Sequence, residues 1–264
     1  MAQCRALGLD ALEMAWVHRV TMTPSGARRV RQAAADDDIR LSVHAPYYLN
    51  LNSPDPEIVS ASRDRILAAA RAAAWCGATD VVLHLGYYHD DPPEKVRRRM
   101  VVGLREARDR LYDEGVTVTL RPEVMGRASQ FGDLEEVLTL CREVPGSAPC
   151  LDVAHLHARG HGRYGPGTTF APLWGRLAAV LGATSLADVH VHLSGIAYGG
   201  RGETKHLPLE DSDLDWRGFL ASMLERGVGG VVVVESPARE EDACLVARTW
   251  REMVTRGVAA AGRP

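Results

Sequence analysis

Six short apolar runs in this chain each end on a residue that can bind a metal ion, and this repetition constrains the fold most. The runs are rich in Val and Leu and are bounded by Gly, Pro or Asp, which is typical of buried parallel strands. Their terminal ligand-type residues are His44, His84, Glu123, Asp152, His192 and Glu235. Successive members lie about 30 to 43 residues apart, the length of one strand, one helix and their connections. The chain is therefore predicted to consist of βα units.

The repeat predicts an α/β fold of the (β/α)₈ TIM-barrel type, with residues 1–264 as one domain. We predict strands at 11–17, 40–46, 80–85, 116–123, 149–153, 188–193 and 230–235. The helices between and after them are predicted at 24–36, 56–76, 94–114, 133–143, 170–181, 214–226 and 239–256. In such a barrel the carboxyl ends of all strands meet at one mouth, where catalytic residues lie. The repeated His, Asp and Glu residues are thus expected to share one cavity.

Seven strands are predicted where a closed barrel has eight, because the sequence opens in a helical stretch, MAQCRALGLD. The predicted barrel therefore lacks its first strand. We expect either that a further strand belongs before Met1 or that the barrel is open at one seam. An open seam would expose the edges of two strands.

The composition indicates a cytoplasmic protein with no membrane partner. The chain is 46% hydrophobic and 25% charged, without an apolar run of the roughly 18 residues that span a bilayer or a signal-peptide pattern. Its five cysteines form no CxxC pair, which favours reduced thiols over a disulfide framework and leaves His, Asp and Glu as the ligand candidates. No obligate protein partner is inferred. The net charge of −3 is not the basic signature of a nucleic-acid binder, although bound cations would add positive charge at the mouth.

The set of ligand-type residues predicts a multinuclear metal site, although each residue alone is a weak signal. Imidazole nitrogens and carboxylate oxygens are the ligands that zinc prefers besides thiolates. Asp152 and His155 are three residues apart and could serve adjacent metals. His206 follows in a predicted loop, where it is equally well interpreted as an exposed histidine or as a ligand. Glu203, in the same loop, is a weaker candidate.

The remaining histidines receive other interpretations. His190 shares strand parity with His192 and is expected to fill a lower layer of the barrel. His157 and His161 follow in a Gly-rich loop and are expected to be exposed or to face a substrate. Arg159, in the basic segment after a ligand-bearing strand, is a candidate for phosphate contact.

With these residues laid out, the sequence resembles the endonuclease IV family of abasic-site nucleases, within the wider group of xylose-isomerase-like TIM barrels. The resemblance runs from about Gly8 to Glu240. The segments that carry it are HAPYYLNLNSP, VVLHLGYY, PEVMGRASQFGDLEEVL, LDVAH, HVHLSG and VVVVESP. Each segment is short, and their combination in this order is what is specific.

The resemblance implies a centre of two or three zinc ions, with Mn²⁺ as a possible substitute. By position, the first ion would be held by His44, His84 and Glu123. Glu123 would bridge to a second ion held by Asp152, His192 and Glu235, and His155 and His206 would hold the third. The implied reaction is incision of double-stranded DNA on the 5′ side of abasic sites, with Glu123 and Glu235 as catalytic residues. Tyr47 and Tyr48 would press into the DNA at the damaged nucleotide, and packing of this pair against the rim of the barrel is an equally good interpretation.

Two departures from the family pattern stand out. The family usually has an Asp-x-His pair at the third metal, whereas this chain reads Glu203-Thr204-Lys205-His206, so that metal is expected to be weak or absent. Ser194-Gly195 stands where the best-known members carry Asn-Asp, which changes the support of the ligands.

Two alternative functions compete with the nuclease. A sugar isomerase or epimerase of the same superfamily would use one divalent metal on Glu123, Asp152, His192 and Glu235. The other histidines, His44, His84, His155 and His206, favour the nuclease over it. A catalytically decayed relative would bind metal without turnover.

Overall fold

Strands and helices alternate along the chain in the computed structural model, which describes residues 1–261 and their side chains as far as residue 257. The strands are β1 Ala11–Ala15, β2 Arg40–His44, β3 Asp80–Leu83, β4 Thr119–Pro122, β5 Cys150–Asp152, β6 Val189–Leu193, β7 Gly195–Gly199, β8 Gly202–Leu207 and β9 Gly230–Val234. The helices are α1 Ala2–Ala6, α2 Pro24–Asp36, α3 Pro56–Cys76, α4 Pro93–Asp113, α5 Leu134–Glu143, α6 Val153–Arg159, α7 Ala171–Leu181, α8 Trp216–Arg226 and α9 Glu240–Ala261.

Seven of the strands form the barrel wall, as the sequence predicts. They make two parallel sheets, β1-β2-β3-β4 and β5-β6-β9. Parallel bridges from Leu120 to Ser147 and from Glu123 to Cys150 connect the two sheets. Within the described residues no ladder joins β1 to β9, although these strands lie in contact. The wall is therefore open at this seam.

Helix ends are fixed by capping residues that the sequence already contains. Asp55 accepts a hydrogen bond from the backbone N–H of Glu57 at the start of α3, and Gly77 ends that helix with a φ of 79°. Asp133 and Glu136 form a capping box at the start of α5. These caps set where each helix leaves the wall, and thereby fix the loops that carry the site.

Two elements differ from the sequence prediction. The helix α6 directly follows β5, because the Asp152 side chain accepts a hydrogen bond of 2.6 Å from the backbone N–H of His155 and so caps it. The stretch after β6, predicted as a loop, is the antiparallel hairpin β7–β8. Its residues are polar and Gly-rich, so the apolar alternation that identifies strands is missing. His206 therefore lies on a strand.

No helix among the described residues is long and apolar enough to cross a bilayer.

Candidate metal centre at the carboxyl ends of the strands

The first ligand group joins the ends of three neighbouring strands. His44 ends β2, while His84 and Glu123 directly follow β3 and β4. The Nε2 atoms of His44 and His84 lie 3.2 and 2.9 Å from Oε2 of Glu123. The Nδ1 atom of His44 donates to the backbone carbonyl of Ala45 at 2.8 Å, which turns its Nε2 lone pair towards the carboxylate. Burial opposes the charged imidazole, but Glu123 outweighs it and raises the pKa of His44.

The second ligand group lies beside the first and shares Glu123 with it. Glu123, Asp152, His192 and Glu235 offer ligand atoms that all lie within 4.8 Å of one another. The Nδ1 atom of His192 is 3.5 Å from Oε1 of Glu123 and 3.3 Å from Oε2 of Glu235. Glu123 thus directs one carboxylate oxygen to each group, which is the geometry of a bridging ligand.

Four buried polar atoms in this cluster have no hydrogen-bond partner among the described residues: Oε1 of Glu123, Oδ2 of Asp152, and Nδ1 and Nε2 of His192. Burial without a partner is costly, most of all for a carboxylate. Burial raises the pKa of Asp152, whereas the surrounding histidines outweigh burial at Glu123 and hold its pKa well below the ordinary value. Glu123, Asp152 and His192 belong to one group whose ligand atoms lie within 4.8 Å of one another, so the residues fit a divalent cation there.

The third ligand group contains Asp152, His155 and His206. The Nδ1 atom of His155 donates to the carbonyl of Val124 at 2.9 Å, and that of His206 donates to the carbonyl of Glu235 at 3.2 Å. Both Nε2 atoms therefore carry lone pairs, and they face each other at 3.3 Å. Two lone pairs repel at this distance unless a proton or a cation lies between them.

The sequence interpretation missed Glu13, whose side chain is 5% exposed inside the barrel. Its Oε2 atom accepts hydrogen bonds from His190 at 3.0 Å and from Ser42 at 2.7 Å. Its Oε1 atom lies 3.0 Å from Nε2 of His192, which orients that ring with Nδ1 towards the ligand group. The signal was a single charged residue within the apolar run ALEMA. His190 fills the lower layer, as predicted.

Cys150 lies with His190 and His192 in a further group at ligand distance, although the sequence interpretation set the cysteines aside. Burial raises the pKa of its thiol. The thiolate that binds metals is therefore disfavoured at this position.

The predicted DNA-contacting tyrosines lie at the rim of the cavity. Tyr47 is 40% exposed and stacks on His84 with ring centroids 5.3 Å apart. Tyr48 is 60% exposed and stacks on His18. Tyr47 thus covers the first ligand group, and Tyr48 projects beyond it.

The side chain of Arg159 is engaged by the loop after β4. Its guanidinium donates to the carbonyls of Met125, Arg127 and Gln130 and to the hydroxyl of Tyr88. Its predicted phosphate contact stays a prediction, and in this structure the residue holds the loop that follows Glu123.

The prediction that His157 is exposed or faces a substrate is wrong. His157 is fully buried, because α6 turns it away from the cavity. Its Nε2 atom lies 3.0 Å from Asp213, and its Nδ1 atom accepts from the backbone N–H of Tyr164. It ties α6 to the following loops. His161 is exposed, as one of the two alternatives had it.

Six exposed basic residues lie on the loops and the β7–β8 hairpin around the mouth, with no carboxylate within 4.0 Å among the described residues. They are Arg19, Arg127, Arg163, Arg201, Lys205 and Arg239. On the outer helices, by contrast, many arginines are paired with acids, such as Arg71 with Glu114 and Arg176 with Glu135. Positive charge without an acidic partner is therefore present beside the ligand groups, which the net charge of −3 does not reveal.

Comparison of the sequence with known proteins finds a matching family model and individual relatives. The sequence model of a family described as xylose isomerase-like TIM barrel matches residues 1–255. An uncharacterized protein of Methanocaldococcus jannaschii is 36% identical, over 94% of this chain and 90% of the relative. A probable endonuclease 4 of Symbiobacterium thermophilum is 29% identical, over 83% of this chain and 79% of the relative.

Comparison of the structure with solved structures confirms the α/β TIM-barrel fold. A D-tagatose 3-epimerase-like protein superposes with a TM-score of 0.75 and 18% identity, covering 98% of this chain and 94% of the other. Endonuclease IV from Thermus thermophilus gives a TM-score of 0.73 and 23% identity, covering 97% and 93%. The predicted resemblance to endonuclease IV is confirmed, but the fold is equally that of sugar epimerases. The ligand set must therefore decide between the two activities.

Proposed function

This chain belongs to the xylose isomerase-like TIM barrel family, and we propose that it is a zinc-dependent phosphodiesterase that incises double-stranded DNA on the 5′ side of abasic sites. One observation carries this proposal: the three ligand groups are contiguous and share Glu123 and Asp152. Two or three ions held a few ångströms apart suit the clamping of a phosphodiester, because they neutralise charge on both the attacking and the leaving oxygen.

The histidines outside the central group distinguish this proposal from a sugar isomerase. A single divalent ion is satisfied by Glu123, Asp152, His192 and Glu235. His44 and His84 contribute nothing to that ion, yet both point Nε2 at Glu123. A single-metal enzyme gives no reason for this arrangement, whereas a dinuclear or trinuclear centre needs it.

Bound divalent ions would supply positive charge at the phosphate and lower the pKa of a water molecule to near neutrality. The chain's own part is to place donors around that charge. Glu123 spans two ligand groups, one oxygen to each. The Glu235 side chain is 24% exposed, more than those of Glu123 and His192, so it can reach a water molecule arriving from the mouth. We assign to Glu235 the orientation of the nucleophile and acceptance of its proton.

The rim of the cavity suits a polyanion that carries exposed bases. Tyr47 and Tyr48 present aromatic faces beside the ligand groups, where a flipped nucleotide could be held out of the stack. The unpaired cations on the surrounding loops can neutralise phosphates, which supplies sequence-independent affinity for DNA. A neutral sugar needs neither feature.

A sugar epimerase that uses one divalent metal is the second candidate, because the central four-residue group is sufficient for it. Its test is ketose epimerisation and ketose–aldose interconversion in the same protein preparation. Activity on a sugar together with a single bound ion would favour it over the nuclease.

The decisive experiment combines metal content with cleavage of a duplex that carries one abasic site. Two to three zinc ions per chain and incision 5′ to the lesion that a chelator abolishes would support the proposal. An intact duplex with one ion or none would refute it.

A Glu235→Gln variant, purified identically, guards against a contaminating nuclease. Glutamine keeps an oxygen donor but cannot accept a proton, so we expect most of the metal to remain and nearly all turnover to be lost. Full activity in this variant would contradict the assigned role of Glu235.

A further inference from the structure

We propose that Glu203 is a ligand of the third ion, in addition to Asp152, His155 and His206. This inference rests on the proposed metal centre and concerns the position where the sequence departs from the family pattern. The carboxylate expected there would come from residue 204, which is a threonine in this chain. The geometry supplies it instead from the preceding residue.

The carboxylate of Glu203 faces His155, one member of the histidine pair. Its Oε2 atom lies 3.5 Å from Nε2 of His155, the nitrogen that already faces Nε2 of His206. The side chain is only 16% exposed, and among the described residues no Lys or Arg lies within 4.0 Å of it. The carboxylate oxygen of Glu203 thus faces Nε2 of His155, which in turn faces Nε2 of His206, and these electron donors repel unless a proton or a cation lies between them. A cation between them removes the repulsion.

A β-bulge explains why residue 203 and not residue 204 faces the site. In the hairpin, Ile196 pairs with His206 and Ala197 pairs with Lys205, but Tyr198 pairs with Glu203. Thr204 is therefore the extra residue. In a regular hairpin, strand alternation would put residue 204 on the same face as His206. Because of the bulge, residue 203 lies on that face instead.

The side chain of Thr204 is directed elsewhere. Its hydroxyl donates to the carbonyl of Ala197 at 2.8 Å within the hairpin. This bond supports the shifted register and leaves residue 204 without a role at the histidine pair.

The loop after β4 holds Glu203 in place. The backbone N–H of Glu203 donates to the carbonyl of Gly126 at 3.1 Å. A Cβ atom on Gly126 would lie 2.7 Å from Cβ and 2.9 Å from Oε2 of Glu203, so the approach requires glycine there. Two elements thus fix the carboxylate, and its position does not depend on a long flexible side chain.

The test is a zinc titration of the apo protein in competition with a chromophoric chelator, which reports stoichiometry and affinity independently of activity. We expect three equivalents in the wild type. In Glu203→Gln the third equivalent should bind about ten-fold more weakly or worse, since even partners that only support a ligand change metal affinity by about 10–100-fold. Thr204→Ser, which changes the neighbouring side chain but keeps its hydroxyl, is the matched control and should bind like wild type.

A double variant, Glu203→Gln with Thr204→Asp, tests the bulge itself. Because residue 204 faces away from the histidine pair, moving the carboxylate there should not restore the third equivalent. Restoration would overturn the assignment, and so would wild-type affinity in Glu203→Gln while His206→Ala loses an ion. A wild type that binds fewer than three ions also overturns it. Three ions without DNA cleavage would refute the proposed nuclease alone and leave the role of Glu203 standing.

Discussion

The two ends of the barrel interior both bury charged side chains but treat them differently. At the amino end, Asp80 is 1% exposed and accepts from Nε of Arg121 at 2.6 Å and from Arg40 at 3.0 Å. At the carboxyl end, Glu123 and Asp152 are equally buried but meet histidines, and each keeps an oxygen without a hydrogen bond. The amino end is complete as a folded structure. The carboxyl end leaves these atoms available to a cation, and we therefore place the proposed function there.

The largest expected effect is that of Glu123→Gln. Glutamine keeps one oxygen, but its NH₂ group cannot bind a metal ion, so one of the two groups loses its donor and we expect at least one central ion to be lost. Metal charge stabilises such transition states by several kcal/mol, so the rate of DNA cleavage should fall at least about a thousand-fold. The measurements are metal content and single-turnover cleavage. Glu135→Gln, at an exposed pair with Arg176, is the matched control and should leave both unchanged.

The same variant also tests whether the buried charge at the carboxyl end is stabilised by the protein alone, without a metal ion. In the presence of a chelator, Glu123→Gln removes a buried carboxylate that has one oxygen beside two histidines and the other without a hydrogen bond among the described residues, so the loss of unfolding free energy in urea should be smaller than the about 3–5 kcal/mol of a fully paired buried charge. A marked loss of apo stability would show that the histidines alone satisfy Glu123.

Asp80→Asn, at the amino end, should lower the stability of the fold and leave the metal content unchanged. It leaves the buried guanidinium of Arg121 without its main counterion, and breaking a buried pair typically costs about 3–5 kcal/mol. Urea unfolding should show this loss, while metal content stays at the wild-type value. A stable variant would mean that Asp188, 3.4 Å from Arg121, is a sufficient counterion.

The stabilisation from Asp80 should also depend on pH. Burial would raise the pKa of Asp80, but Arg121, Thr79 and Arg40 outweigh burial and hold it below its ordinary value of 3.8. A lowered carboxyl pKa stabilises the fold above the unfolded value, and this contribution disappears as the pH falls through the lowered pKa. The difference in unfolding free energy between wild type and Asp80→Asn should therefore shrink below about pH 4.

A smaller effect, on zinc affinity, is expected from Glu13→Gln. Glu13 lies in the barrel interior between its amino and carboxyl ends. Glu13 orients His192 without reaching the ligand cavity, and loss of such a partner weakens metal binding by about 10–100-fold. At saturating zinc the cleavage rate should return close to that of wild type, which distinguishes a positioning residue from a ligand. Ser42→Ala, which removes only a donor to Glu13, should have a weaker effect. An unaltered zinc affinity in Glu13→Gln would show that packing alone holds His192.

The sequence could predict the strands and most members of the ligand groups because both depend on local pattern. Short apolar runs identify parallel strands, and a polar residue at the end of each run points to the mouth. Glu13 was not identified because it lies inside an apolar run. Its role depends on His190 and His192, which come from a strand far along the chain. The position of Glu203 depends on the register of the β7–β8 hairpin. This register could not be predicted, because the polar hairpin sequence lacks an alternation of apolar residues. His157 was misjudged because α6 follows β5 without a Gly or Pro boundary.

The smallest expected effect concerns the exposed basic residues around the mouth, compared with the arginines that are paired with acids on the outer helices. Removing one cation that binds a phosphate should lower the slope of log affinity against log salt by about one. Replacing Arg127 and Arg201 by Gln, on the neighbouring loop and hairpin, should therefore weaken DNA binding and flatten this slope, with zinc content unchanged. Arg71→Gln, on the paired helical surface, should alter neither. An equal slope in both variants would mean that the unpaired cations do not contact the DNA, leaving the metal centre alone to distinguish the mouth.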